Sequence, residues 1–278
     1  MERSENIIMS FVQALLNTLY YLVLCWLLPV VIILSLTYIC RNSERALDSS
    51  TFGPQAEIHF GFIGIMVHET SHFLMAVIFN HRINDMQLLV LPSRVNLESK
   101  HPVLGYVNQS YNPNSVYQTI GNAFIGTAPI YGCTAALYGI YRLFTPSLFN
   151  FMTKTLTEIV HNPLSFSFKD FIFNFTDLFK YDLKSIVFVL IAFYLITNIT
   201  LTGFDLSNAD LKSSAYAGLA LLAVMAIVIM TFEIFGIANI ITPFLYNFAT
   251  WFLALSSLAI FNALVVNIIS HLLHFYLS

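Results

Sequence analysis

The apolar run from Phe60 to Phe79 is long enough to cross a bilayer, and near its middle it carries His68-Glu69-Thr70-Ser71-His72. No other feature constrains the chain as tightly. A charged side chain at the centre of a membrane helix costs about 2.5–3.5 kcal/mol on insertion scales, so ionisable groups persist there where they have a partner or a task. Positions i and i+4 of a helix share a face, so His68 and His72 can hold one metal ion while Glu69, beside them, reaches a water on that metal. On a soluble surface helix the same residues would carry no such burden. Within hydrocarbon they point to a metal site.

The rest of the sequence agrees with that setting. Of 278 residues, 57% are hydrophobic and only 10% charged, and the mean hydropathy is +0.73, the composition of a multi-pass integral membrane protein. A net charge of −3 without a basic block gives nothing for nucleic acid to bind. Cys25, Cys40 and Cys133 lie in or beside apolar runs without C-x-x-C spacing, and so read as small buried hydrophobes.

The pattern predicts an all-α polytopic membrane protein of about six transmembrane helices, with a small membrane-associated β-hairpin between the metal-motif helix and the next one. Three segments follow from it. Residues 1–57 hold a first helix, Ile7 to Cys40, retained because it is too long for a signal-peptide core, and a polar connector from Arg41 to Glu57. Residues 58–236 hold the metal helix, the hairpin, a helix rich in small residues and an aspartate-bearing broken helix. Residues 237–278 hold one long or two short helices.

The expected hairpin strands are Met86–Leu91 and Val103–Val107, bracketed by prolines. The run Val116 to Phe144 carries Gly121, Gly126, Gly132 and Gly139, which suit close approach to the metal helix in lipid. Its Pro129 leaves a backbone carbonyl without its helical donor. Thr145 to Lys184 reads as an interfacial loop with alternating phenylalanines. Lys and Arg divide too evenly among alternate loops to set an orientation.

A catalytic zinc site usually takes three protein ligands and keeps one position open. The third could come from Asp205, Asp210, Glu233, or the pair His271 and His274. Asp210 lies in the polar break between Thr202 and Lys212, where a carboxylate at membrane depth needs a partner. Glu233 sits on an apolar helix, and the two histidines sit close to the C-terminus.

The arrangement resembles the site-2 protease family of intramembrane metalloproteases. The likeness rests on H-E-x-x-H in a membrane helix, Gly105-Tyr106-Val107 in the hairpin, the run Gly121–Gly132 with its Pro129, and an aspartate in a later break. It covers roughly Gly61 to Ala217. The resemblance implies a Zn²⁺ cofactor held by His68, His72 and Asp210, with Glu69 as general base. It also implies a membrane protein or peptide as substrate, met in the lipid bilayer of a cell membrane. The chain departs from the family at Ala209-Asp210-Leu211, where the family has Leu-Asp-Gly, and at Thr200–Gly203, which replaces a proline-rich lead-in.

Two other functions fit parts of the pattern. A prenyl-protein-type membrane zinc peptidase would use Glu233 as third ligand. A zinc-binding membrane protein without protease activity is the other: a transporter would need ionisable groups on several helices forming a path, for which only Glu233 and Arg142 are candidates, and an immunity-type protein with a structural zinc would need no wet path to it. A hydrolytic site needs water at depth, for which Asn122, Thr127, Asn198 and Asn208 are the expected lining.

Overall fold

The computed structural model describes residues 2–49, 55–90, 104–161, 167–170, 172 and 183–277. Glu2–Leu22 (α1) and Leu28–Asp48 (α2) form one continuous helix through a π-helical turn, Val23–Leu27. Pro29, in the first turn of α2, has no N–H to return to the Cys25 carbonyl, and the wider turn just before it absorbs the mismatch. Arg41–Asp48, expected as connector, is helical. Ala46 and Leu47 are buried there, and the polar residues Arg41, Asn42 and Ser43 find partners on other elements.

The metal-motif helix α3 spans Gln55–Ile78. It ends where Asn80 takes a left-handed conformation (φ 56°) and His81 N–H closes back on Ala76 O at 2.8 Å, the 6→1 bond of a helix C-cap. The chain then pairs Arg82–Gln87 (β1) antiparallel with Tyr106–Ser110 (β2), with a bulge at Asn84. Both strands lie closer to the flanking helices than the apolar runs suggested. The pairing uses the largely polar Arg82–Gln87 instead, in which Ile83 and Gln87 are half-buried and the other four residues exposed. Residues 91–103, with Pro92, Pro102 and Val103, fall outside the described residues.

Val116–Phe144 (α4) starts at Ser115, whose hydroxyl accepts from Gln118 N–H at 3.4 Å. Pro146–His161 (α5) is helical where an interfacial loop was expected: Pro146 supplies a fitting first residue, and buried Phe149 packs edge-on against Tyr138 at 5.0 Å. Phe166, Phe171, Phe173 and Phe175 lie outside the described residues. Leu183–Thr202 (α6) and Asn208–Ile234 (α7) flank the polar break, and after a short 3₁₀ turn a single helix, Thr242–Leu277 (α8), completes the chain.

Among the described residues, five helical stretches are long and apolar enough to cross a membrane: Ile8–Leu47, His59–Ile78, Val116–Phe144, Asn208–Ile234 and Ala238–Tyr276. Ile186–Thr202 is a shorter apolar helix. One core cluster joins Leu36 and Cys40 of α2, Ile130 and Cys133 of α4, Ile199 of α6 and Ala259 of α8.

Lipid is as apolar as leucine, so helices in a bilayer associate by close backbone approach rather than by hydrophobic exclusion. Glycines supply that approach around α3. A Cβ on Gly64 would sit 2.7 Å from the Asn198 carbonyl oxygen and 3.0 Å from the Gly203 nitrogen, both backbone atoms of the α6 end. On α4, Gly132 accommodates Ser71 and Gly126 accommodates the Asp210 carbonyl. Asn198 is 1% exposed, and its Oδ1 accepts from Ile63 N–H at 2.7 Å, so it joins α6 to α3.

Gly64→Ala should therefore cost about 1–3 kcal/mol, because backbone cannot step aside as a side chain can. Gly139 and Gly218 face open space, and alanine at either should leave stability unchanged or raise it slightly. Thermal unfolding in detergent micelles of the three variants checks the contrast.

Candidate metal centre

The α3 motif, the middle of α4 and the start of α7 converge on one point. His68, Glu69 and His72 are buried on α3, at 7–9% exposure, too deep for idle surface groups. His68 Nε2 and His72 Nε2 lie 3.1 Å apart, and Asp210 Oδ1 lies 3.5 Å from His72 Nε2. The ligand atoms of the three residues all fall within 4.8 Å of one another, a group that could hold a metal ion.

The backbone fixes which imidazole nitrogens face the centre. His72 Nδ1–H donates to Ile125 O at 2.7 Å, and His68 Nδ1–H donates to Gly203 O at 3.1 Å. A carbonyl can only accept, so each Nδ1 carries the proton and each Nε2 presents a lone pair. Both carbonyls are available for a local reason. Ile125 is four residues before Pro129, which has no N–H to give it. Gly203 follows the last turn of α6, where carbonyls lack helical partners; it also accepts from Cys133 Sγ at 3.2 Å.

Asp210 is held as firmly. Ser207 caps α7, and the two residues bond reciprocally: Asp210 Oδ2 accepts from Ser207 N–H at 2.9 Å and from its hydroxyl at 2.6 Å, while Ser207 Oγ accepts from Asp210 N–H at 3.1 Å. With Oδ2 so engaged, Oδ1 is left for the centre. Two lone pairs and a carboxylate oxygen thus converge, an arrangement a cation satisfies. The separations, 3.1 Å for His68–His72, 3.5 Å for His72–Asp210 and none above 4.8 Å, bring the three within reach of one ion.

Glu69 faces the segment that leads into β2. A Cβ on Gly105 would lie 2.7 Å from Glu69 Cγ and 3.0 Å from Leu88 O, so the loop-side end of the hairpin, beyond the Gln87–Tyr106 pair, passes over this side chain. Val90 N–H bonds Leu104 O at 2.7 Å and extends the pairing there. On the hairpin itself Tyr106 donates its hydroxyl to Asp85 Oδ2 at 2.7 Å, and this bond to a carboxylate holds the phenol above its usual range.

The other sequence-predicted ligands lie elsewhere. Asp205 Oδ1 takes Arg41 Nε–H at 2.6 Å. Glu233 Oε2 takes Asn17 Nδ2–H at 3.0 Å, and it is displaced from Asp210 along α7 by about 34 Å at the helical rise. His271 contacts Asn42 at 2.8 Å and His274 contacts Ser49 at 3.3 Å, at the far ends of α8 and α2. The sequence marks the carbonyl that Pro129 leaves free but not that His72 takes it, and the Ser207-x-x-Asp210 spacing of a capping box is the signal for the Asp210 anchor. Arg41 gave no such signal.

The chain matches no protein-family model, no curated protein and no solved structure.

Asp210→Ala should abolish stoichiometric metal binding, whereas Glu233→Gln should leave it intact. Ser207→Ala, which removes the hydroxyl bond to Oδ2 and keeps the backbone one, should weaken affinity about 10–100-fold, the usual effect of losing a partner that orients a ligand. Equilibrium dialysis against buffered zinc measures all three.

Proposed function

We propose that this protein is a zinc-dependent intramembrane endopeptidase of the site-2 protease kind, hydrolysing peptide bonds of membrane-embedded segments in a cell membrane. The observation that carries the reading is the convergence of His68 Nε2, His72 Nε2 and Asp210 Oδ1 beside buried Glu69 on helices apolar enough to cross a membrane. The short helix Ile186–Thr202 counts in this reading as a sixth crossing, at the lower limit of about 17 residues.

Zinc in this group would supply a Lewis acid and bring the pKa of a water near 7. His68, His72 and Asp210 would hold it and leave one position open, as in catalytic rather than structural sites. Glu69, one residue from His68, would take the proton of the attacking water and pass it to the leaving amine. A substrate helix hides its peptide bonds in i→i−4 hydrogen bonds and must unwind before attack. The hairpin segment over Glu69, around Leu88 and Gly105, would receive the unwound strand by main-chain pairing.

Glu233, bonded to Asn17 and distant along α7, counts against a prenyl-protein-type peptidase that would use it. A purely structural zinc would take a fourth protein ligand, and among the described residues the metal-capable group has three members.

Glu69→Gln should keep zinc and fold, because the amide copies the shape of the acid. It should lower cleavage of a quenched-fluorescent apolar helical peptide in micelles by about 10²–10⁴-fold, because it cannot accept a proton. Loss of zinc from this variant would instead make Glu69 a ligand.

A further inference from the structure

The loop Gly203–Ser207 holds both ends of the metal group: its first residue accepts the His68 Nδ1–H bond and its last residue holds Asp210. Five residues therefore set the distance between two ligands borne on different helices. Glycine at the start and a capped serine at the end give such a loop little stiffness of its own.

Its stiffness comes from α2. Thr37, Cys40 and Arg41 lie on one face of that helix, at i, i+3 and i+4. Thr37 Oγ1 donates to Phe204 O at 3.1 Å and Cys40 Sγ to Thr200 O at 3.0 Å. Arg41 Nε donates to Asp205 Oδ1 at 2.6 Å while Nη2 donates to the Leu206 carbonyl. Glu44, one turn on, approaches the same Asp205 carboxylate. The guanidinium thus grips side chain and backbone of adjacent loop residues at once, which its planar fork allows and a lysine ammonium does not. The Arg41 and Asp205 side chains are only 29% and 27% exposed, on an apolar helix and at a break between apolar helices. A charged pair kept in such a setting needs a reason beyond surface decoration.

We infer that Arg41, through Asp205 and the Leu206 carbonyl, is a positioning residue for the metal ligands His68 and Asp210. It touches neither the metal group nor a substrate; it fixes the loop from which both ligands take their orientation. The same inference makes α2 part of the site, although the metal group is drawn from α3 and α7. The proposal rests on the metal reading given above.

The test measures zinc affinity by competition with a chromophoric chelator, together with the melting temperature of the metal-free chain in micelles, for wild type, Arg41→Ala, Arg41→Lys, Asp205→Asn and the double variant Arg41→Ala/Asp205→Asn. Positioning predicts a 10–100-fold weaker zinc affinity in Arg41→Ala with the metal-free melting temperature close to wild type. Arg41→Lys should recover part of the loss, and the double variant should cost little more than either single one. Cobalt(II) substituted at the site should show an altered visible absorption band in Arg41→Ala, which a merely structural role would not produce. If Arg41→Ala does not fold, Arg41→Lys and Asp205→Asn carry the same comparison. Affinities within twofold of wild type in the folded variants, with wild type binding one zinc, overturn this proposal alone. A wild-type chain that takes up no zinc overturns the metal reading and this proposal with it.

Discussion

Two backbone carbonyls that their own helices leave unpaired hold His68 and His72. Ile125 O is unpaired because Pro129 cannot donate to it, and Gly203 O because α6 ends there. In a bilayer an unsatisfied carbonyl costs several kcal/mol, and an imidazole of undetermined tautomer is a poor ligand. Pairing the two removes both problems with one bond each, and turns both Nε2 atoms inward. The convergence with Asp210 follows from that.

The bonds are made only if the helices come close, and here the small residues matter. Gly64 brings α3 against the end of α6, Gly132 brings it against α4, and Gly126 lets α4 reach the Asp210 backbone. Each glycine stands at a contact between two of the elements that supply a ligand or a ligand's acceptor. Helix packing and site geometry are therefore one set of contacts, with α2 closing it from outside through Arg41 and Asp205.

Much of this was legible in the sequence. The apolar lengths gave the long helices, H-E-x-x-H gave three inward-facing residues, and the polar break marked Asp210 as a carboxylate in need of a partner. The break gave Asp205 the same standing, and only the fold separates them, because Asp205 is engaged by Arg41, more than 160 residues earlier in the chain. The helical extension to Asp48 was hidden because Arg41, Asn42 and Ser43 read as loop by composition, whereas their polar groups are satisfied across helices. The first strand lies in Arg82–Gln87, whose apolar residues Ile83 and Met86 are three apart and carry no strand period. The bridge that Asn198 Oδ1 makes to the Ile63 amide joins residues 135 apart, which periodicity does not carry.

The central claim is a three-ligand metal centre of two imidazoles and one carboxylate with an open position. X-ray absorption at the zinc edge of the zinc-loaded protein tests it most directly. The account predicts outer-shell scattering from two imidazoles, only nitrogen and oxygen neighbours at about 2.0–2.1 Å, and a total of four once a solvent oxygen is counted. A sulfur neighbour at about 2.3 Å, a third imidazole, or a spectrum unchanged in Asp210→Ala would contradict it.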